Sequence, residues 1–299
     1  MANQGFLTQK PGFATLAIHA GQDPDKWNCA AVVPPIITST TFKQPAPAEH
    51  TMVWIETPTN PNLKIADIAV ISKIVKSYNE DIIVVVDNTF LTSYLQRPLE
   101  HGADMVMYSL TKYMNGHSDV IMGAAVLNDS EIEKKLRFLQ NAMGIVPSPM
   151  DCYLVNRSLK TLALRMEQHK KSSLVVAEWL LKHPKIVEVY HPGLPSHPQY
   201  DIARKQMTGH SGVFSFRHSG DLKESRKFLS SLKVFTLAES LGGYESLAEL
   251  PSLMTHASVP AAQRVELGIT DSLIRLSVGL EDTEDLIADL DQAFVEAFQ

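Results

Sequence analysis

A run of β-branched residues that ends in a polar triplet is the feature that most constrains the fold of this chain. Ile82-Ile-Val-Val-Val86 is short and apolar enough to be one buried strand, and Asp87-Asn-Thr89 follows it directly. Before it, residues 67–77 carry apolar side chains at helical spacing, and residues 52–56 are predicted to form another strand. The sequence therefore predicts a βαβ unit within a layered α/β sheet.

A second predicted strand also ends in polar residues. The apolar segment 104–108 is followed by Ser109-Leu-Thr-Lys112. Because open α/β sheets bind ligands outside the carboxyl ends of their strands, we expect Ser109, Thr111 and Lys112 in that crevice, close to Asp87. A lysine that is desolvated in such a place loses its proton more readily and attacks a carbonyl carbon.

These four side chains match the needs of a pyridoxal 5'-phosphate (PLP) site. Such a site requires an amine that bonds to the cofactor, a carboxylate that keeps the pyridine nitrogen protonated, and hydrogen-bond donors for the phosphate. Taken singly, the Ser-x-Thr-Lys pattern favours a solvated loop lysine at Lys112, and Asp87 could equally be a helix N-cap or a metal ligand. The prediction therefore depends on the pairing of Lys112 with Asp87.

Composition limits the class of protein. The chain has 299 residues, of which 44% are hydrophobic and 20% charged, so two globular domains are expected. A net charge of -6 offers no basic field for nucleic acid or an anionic membrane. Cys29 and Cys152 are far apart and fit neither a disulfide framework nor a structural metal site. With no signal sequence or long apolar run, we expect a cytoplasmic protein.

The order of the segments predicts three parts. Residues 1–50 are expected to form an extended arm that packs on another subunit or domain, residues 51–162 a cofactor-binding domain, and residues 163–299 a C-terminal α+β domain. Helices are predicted over much of 131–166 and, separately, over 173–183.

Further polar residues are candidates for a cleft. Arg275 lies in an alternating strand, where a planar guanidinium suits a substrate carboxylate, although an edge-strand arginine in water explains it nearly as well. Glu239 and Ser240 precede a Gly-Gly turn, and Asn60 lies on a turn after the first strand. Each of these signals has low specificity by itself.

Four stretches of the chain carry a resemblance to a known family: Trp54-Ile-Glu-Thr-Pro-Thr-Asn-Pro61, Val86-Asp-Asn-Thr-Phe90, Ser109-Leu-Thr-Lys112-Tyr-Met-Asn-Gly-His-Ser-Asp119 and Arg275-Leu-Ser-Val-Gly-Leu-Glu281. Together they resemble the cystathionine γ-lyase branch of the transsulfuration enzymes. The resemblance covers almost all of the chain. It implies the α/β fold type I of PLP-dependent transferases, which is the aspartate-aminotransferase type, with a truncated large-domain sheet.

The resemblance also implies cofactor contacts. By this likeness Lys112 carries the PLP, Asp87 pairs with the pyridine nitrogen, and Asn60 contacts the ring hydroxyl. Ser109 and Thr111 would hold the phosphate.

Substrate contacts and an activity follow from the same likeness. Arg275 and Ser240 would hold the substrate carboxylate, and Glu239 would favour cystathionine over methionine. The implied reaction is α,γ-elimination of L-cystathionine to L-cysteine, 2-oxobutanoate and ammonia, with hydrogen sulfide production from cysteine as a side activity. A homotetramer is the expected assembly.

The chain departs from the family between Phe42 and Trp54. Relatives carry on the order of a hundred additional residues there, including side chains that grip the cofactor phosphate and stack on its ring. We therefore expect a shortened form, either a splice variant or a gene-model artefact, with impaired activity. The alternative is a non-catalytic isoform that associates with full-length subunits.

Overall fold

A computed structural model describes residues 51–299 of the chain, so the predicted arm over residues 1–50 lies outside the described residues. The described part contains two β-sheets. One has four strands and the other has five. Helices pack against both, and the two sheets meet where Lys112 contacts Ser240 and Asn60 contacts Arg275.

The first sheet sets the edge on which the candidate site lies. Its strands, in spatial order, are β1 (Met52–Glu56), β2 (Ile83–Asp87), β3 (Met105–Ser109) and β4 (Gly123–Leu127). Strands β1, β2 and β3 are parallel, whereas β4 runs antiparallel to β3. Because the first three strands point the same way, Glu56, Asp87 and Ser109 end at one edge of the sheet.

The predicted βαβ unit is confirmed. Helix α1 (Ile68–Tyr78) connects β1 to β2, and the Asp67 side chain caps its start by accepting a hydrogen bond from the Val70 N–H. The three valines in the middle of β2 are completely buried, which is the pattern of a strand covered on both faces.

The second sheet consists of β5 (Ile186–Tyr190), β6 (Val213–His218), β7 (Thr236–Leu237), β8 (Leu247–Glu249) and β9 (Leu273–Ser277). The spatial order is β5-β6-β9-β8-β7, so β9 is an internal strand. Phe214, Phe216, Phe228 and Phe294 belong to the hydrophobic core of this half. Burying aromatic side chains of this size supplies much of the stability of such a sheet.

The remaining helices vary in length and burial. They are α2 (Thr92–Leu95), α3 (Ser130–Met143), α4 (Pro149–Leu159), α5 (Leu162–Leu180), α6 (Tyr200–Gln206), α7 (Leu222–Ser231), α8 (Ala261–Glu266) and α9 (Thr283–Ala297). None of the helices within residues 51–299 is long and apolar enough to cross a membrane.

Helix α5 corrects a prediction from the sequence. A helix starting at residue 173 was expected to be separate from the helical segment ending at residue 166, but the structure has one continuous helix from Leu162 to Leu180. Its buried face includes His169, Ser172 and Ser173, whose polar side chains interrupt the apolar periodicity in the sequence but not the helix. The domain boundary at residue 162 stays a prediction.

Candidate active site

Lys112 lies just beyond the carboxyl end of β3, in a wide helical turn over Leu110–Met114. Its side chain is partly buried, and the Nζ atom donates a hydrogen bond to the Ser240 hydroxyl at 3.2 Å. Burial lowers the pKa of Lys112, and the nearby Arg275 guanidinium lowers it further, whereas Glu249 opposes the shift. An amine in this setting is deprotonated more readily than a surface lysine.

Asp87 is the last residue of β2, at the same sheet edge as Ser109. Its Oδ1 atom accepts hydrogen bonds from the Thr89 N–H at 3.0 Å and from the Thr89 hydroxyl at 2.6 Å. Burial raises the pKa of Asp87, and the two bonds from Thr89 counter that rise. These bonds use only Oδ1, and no residue in the range 51–299 donates to Oδ2, which leaves that atom available to a ligand.

The two residues predicted to hold a phosphate differ in availability. Thr111 Oγ1 accepts a hydrogen bond from the Met122 N–H at 3.0 Å and lies 3.3 Å from the Met122 carbonyl oxygen, which ties the turn to the approach of β4. The Ser109 hydroxyl has no hydrogen-bond partner within residues 51–299, while the Ser109 N–H donates to Thr89 Oγ1 at 2.9 Å. The Ser109 hydroxyl is therefore free to donate to a phosphate, whereas the Thr111 hydroxyl would first have to give up its hydrogen bonds with Met122.

Arg275 is almost completely buried, with 2% of its surface exposed, and it lies in the internal strand β9. This position excludes the alternative of an edge-strand arginine in water. Its Nη1 atom donates to Asn60 Oδ1 at 3.1 Å, and Nη2 donates to the carbonyl oxygens of Glu239 and Ser240 at 2.7 and 2.8 Å. The guanidinium thus joins the turn after β1 to the segment after β7.

Glu249 is a site residue that the sequence analysis missed. It is directly opposite Arg275 in the β8–β9 register, and its Oε1 atom lies 2.7 Å from Arg275 Nη1, with both side chains buried. Burial raises the pKa of Glu249, and the Arg275 guanidinium opposes that rise. Because β8 has three residues and lies 26 positions before its partner, no local pattern in the sequence indicates the pair.

Gly242 positions the segment that carries Glu239 and Ser240. Gly242 has a φ of 77°, and a Cβ atom at this position would lie 2.8 Å from the Tyr113 backbone nitrogen. The chain can pass this closely beside the lysine turn because residue 242 lacks a side chain. Ser240 is thereby held against Lys112, whereas the Glu239 side chain is exposed and only its carbonyl oxygen contacts Arg275.

Most of the predicted residues are therefore brought together. Hydrogen bonds connect Lys112, Ser240, Arg275 and Asn60 in one cluster, and Asp87 ends the strand next to β3. Among the residues that the structure describes, the cluster offers an amine of lowered pKa, a carboxylate oxygen without a hydrogen bond, and a Ser109 hydroxyl without a partner. This donor set fits the reactive and ring ends of PLP, and fewer donors are present for its phosphate.

Comparison with known proteins identifies the relatives. The profile described as Cys/Met metabolism PLP-dependent enzyme matches residues 46–295. Cystathionine gamma-lyase from Sus scrofa is 45% identical over an alignment of 393 positions that covers 99% of this chain and 97% of the relative. The enzyme of the same name from Homo sapiens is 44% identical, in an alignment that covers 99% of this chain and 96% of the human enzyme. This chain has 299 residues, so an alignment of 393 positions includes residues of the Sus scrofa enzyme that have no counterpart in this chain.

Solved structures agree with these relatives. Cystathionine gamma synthase from Xanthomonas oryzae pv. oryzae, in complex with aminoacrylate and cysteine, superposes with a TM-score of 0.80 at 44% identity over 83% of this chain. Cystathionine gamma-lyase from Lactobacillus plantarum, complexed with L-serine, gives 0.80 at 42% identity over the same share. The chain spans 64% of the length of either solved structure. Fold type I is confirmed, and the length difference supports the predicted internal gap.

Proposed function

The chain belongs to the Cys/Met metabolism PLP-dependent enzymes, and on that premise we propose that it is a carbon–sulfur lyase of the transsulfuration pathway acting on L-cystathionine. The products would be L-cysteine, 2-oxobutanoate and ammonia, with one water consumed. Release of hydrogen sulfide from cysteine is proposed as a side activity, the cytoplasm as its location, and a homotetramer as its assembly.

The observation that carries this proposal is the position of the Lys112 amine. It lies beyond the end of β3 and 3.2 Å from the Ser240 hydroxyl, and the nearby Arg275 guanidinium helps to lower its pKa. Asp87 ends the adjacent parallel strand. An amine next to an arginine and a carboxylate at one sheet edge supports covalent attachment of an aldehyde cofactor at that place.

Each residue has a distinct proposed task. PLP, when bound, supplies an electron sink for the charge that develops at the substrate Cα. Lys112 Nζ would bond to the cofactor in the resting site and then, once released, take the proton from the substrate Cα and deliver protons as the carbon–sulfur bond breaks. The Asp87 carboxylate would keep a proton on the ring nitrogen, and Asn60 would contact the ring hydroxyl.

The substrate contacts are proposed on the same basis. Arg275 is a suitable partner for the substrate carboxylate together with Ser240, and Glu239 extends into solvent where it can meet the far end of a long substrate. All four Nη hydrogens of Arg275 have partners available within the protein: Glu249, Asn60 and two carbonyl oxygens. A substrate carboxylate would therefore have to displace the carbonyl oxygens of residues 239 and 240 or use Nε.

The test is an absorbance titration of the purified chain with PLP, coupled to an assay of cystathionine cleavage. We expect a new visible band and measurable product formation, both lost in Lys112→Ala. The matched control is Lys182→Ala, which removes an exposed lysine of the second half and should leave the band unchanged. A titration that gives the same spectrum in the wild-type chain and in Lys112→Ala would refute the proposal.

A second candidate function is favoured by the surface of α3, α4 and their connection. Large apolar side chains there are more than half exposed: Phe138, Met143, Ile145, Val146, Met150 and Tyr153. Apolar patches of this kind are typical of interaction surfaces. The non-catalytic alternative is that the chain associates with full-length family subunits. Co-expression with such a subunit, followed by size-exclusion chromatography, should then yield mixed oligomers without any cofactor on Lys112.

A further inference from the structure

Glu56 is a partly buried acidic residue to which the proposed function assigns no task. It is the last residue of β1, and the parallel register places it directly opposite Asp87, the last residue of β2. Neighbouring strands are about 4.8 Å apart, and partnered residues of parallel strands direct their side chains to the same face. The two carboxyl groups therefore lie side by side at the edge of the sheet that carries the candidate site.

Within residues 51–299, no cationic side chain contacts either carboxyl group directly. Neither Glu56 nor Asp87 takes part in an ion pair within the described part of the chain. Two charged residues act on Glu56: Asp87 from β2, which disfavours ionisation, and Arg275 from β9, which favours it; the Asn60 N–H also donates to it. The charge of Arg275 is already balanced by Glu249 at 2.7 Å, which weakens its effect on Glu56.

Two adjacent carboxyl groups without a cation retain one proton between them, because the second ionisation would place like charges together in a poorly solvated site. The two groups are not equivalent. Asp87 accepts two hydrogen bonds from Thr89, both of which favour its charged form, whereas Glu56 accepts one from a backbone N–H. The shared proton therefore belongs mainly to Glu56.

We propose that Glu56 is a positioning residue for Asp87, which stores one proton beside it and sets the negative charge that Asp87 presents to the cofactor ring nitrogen. This inference rests on the proposed function. As long as Glu56 is protonated, the pair carries one negative charge. When Glu56 ionises, the pair carries two, and a protonated ring nitrogen is held more strongly.

The pH at which this change occurs follows from the surroundings of Glu56. Burial raises the pKa of Glu56 to about 7, and repulsion from Asp87 contributes to the same rise. The pair should therefore gain its second charge as the pH rises through about 7. Replacing Glu56 by Gln keeps the shape and removes this step, leaving Asp87 with a single charge at every pH at which it is ionised.

The first test uses the cofactor-free chain, so that it does not depend on cofactor binding. Carboxyl-carbon NMR of isotopically labelled protein should show a glutamate resonance that titrates near pH 7 and is absent from Glu56→Gln, whereas the resonance of Glu249, whose pKa burial also raises to about 7, should remain. In Asp87→Asn the Glu56 resonance should titrate about one pH unit lower, because the like charge has gone. If no such resonance is lost in Glu56→Gln, or if it keeps its pKa in Asp87→Asn, the inference is wrong.

The second test measures the dissociation constant of PLP by fluorescence at pH 6 and pH 8. Relative to Glu56→Gln, the wild-type chain should gain up to about tenfold in affinity across this interval, which corresponds to one pKa unit of coupling. Glu100→Gln, a change in an exposed surface pair, is the control and should behave as wild type. If wild type and Glu56→Gln change in parallel, the inference fails, whereas absence of any PLP binding defeats the proposed function and leaves the NMR titration to decide on the pair.

Discussion

Arg275 and Glu249 show how one buried contact can organise a site. The guanidinium joins β9, the segment after β7 and the turn after β1, and its charge is balanced by a carboxylate from the adjacent strand. A buried pair of this kind contributes less to stability than its short distance suggests, because both ions have lost their hydration. Removing one partner, however, leaves an uncompensated charge.

Glu249→Ala should therefore destabilise the chain by about 3 kcal/mol, since it leaves Arg275 charged and buried without its carboxylate. Urea denaturation followed by circular dichroism measures the effect. Glu133→Ala is the matched control: it breaks the exposed pair with Arg137 on α3, which water already screens, and no resolvable change is expected. Equal losses in the two variants would contradict this view of Arg275.

Individual residues differ in how far the sequence could predict them. Lys112 and Asp87 could be placed because each follows a short apolar strand, and strand ends of one parallel sheet meet at one edge. Glu249 could not, because only the β8–β9 register brings it opposite Arg275. The partners of Thr111 were also hidden, since the backbone of Met122 satisfies its hydroxyl.

At the scale of elements, the segment between β7 and β8 lies against the two basic side chains of the site, Lys112 and Arg275. Its carbonyl oxygens and the Ser240 hydroxyl contact Arg275 and Lys112, and Gly242 holds it against Tyr113. Any added side chain at residue 242 should move this segment away from the lysine.

Gly242→Ala is accordingly expected to cost about 2 kcal/mol or more, because it adds a contact at 2.8 Å to the penalty of a left-handed backbone. Gly144→Ala separates the two causes. Gly144 has a φ of 68° but no atom within 4 Å of the added carbon, so this variant should show only the backbone penalty of about 1 kcal/mol. Thermal or urea unfolding compares them. If Gly242→Ala loses no more stability than Gly144→Ala, the close approach of residue 242 to the Tyr113 backbone does not contribute to the loss.

Element boundaries were predicted best where the sequence marks them chemically. Strand β1 was predicted with its observed bounds because Thr57-Pro58 interrupts it. Helix α1 was predicted over residues 67–77 from its apolar spacing, one residue from its observed bounds. The break expected in α5 was wrong, since buried serines and a histidine obscure its inner face. Strands β7 and β8 were missed because two or three residues are too few for any periodicity.

At the scale of the whole molecule, buried histidines should dominate the dependence of stability on pH. Burial lowers the pKa of His169, His210 and His218 to about 4 and lowers that of His191 well below its usual value. Below pH 6.5 these histidines are protonated in the unfolded chain but stay neutral in the folded chain, so acid favours unfolding.

Three carboxyl groups act in the opposite direction, because burial raises the pKa values of Asp87, Glu56 and Glu249. For Glu56 and Glu249 the pKa rises to about 7, so the folded chain keeps protons there that the unfolded chain releases between pH 4.5 and 7. The four histidines outnumber them. The free energy of unfolding should therefore fall by about 2 kcal/mol for each unit as the pH drops from 6.5 towards 5.

Urea denaturation at pH 7.0, 6.0 and 5.0 measures this slope. In His218→Gln one titrating ring is absent, and the slope should be smaller than in the wild-type chain even if the variant is less stable at every pH. A free energy of unfolding that stays constant or increases on acidification would contradict the dominance of the buried histidines.

The proposed activity depends on attachment of PLP to Lys112, which borohydride reduction followed by peptide mapping measures. The chain is incubated with PLP, reduced, digested and analysed by mass spectrometry. We expect one modified lysine, Lys112, with no modification there when Lys112 is replaced by Ala. Label spread over exposed lysines while Lys112 stays unmodified would show that the cofactor does not attach at this position.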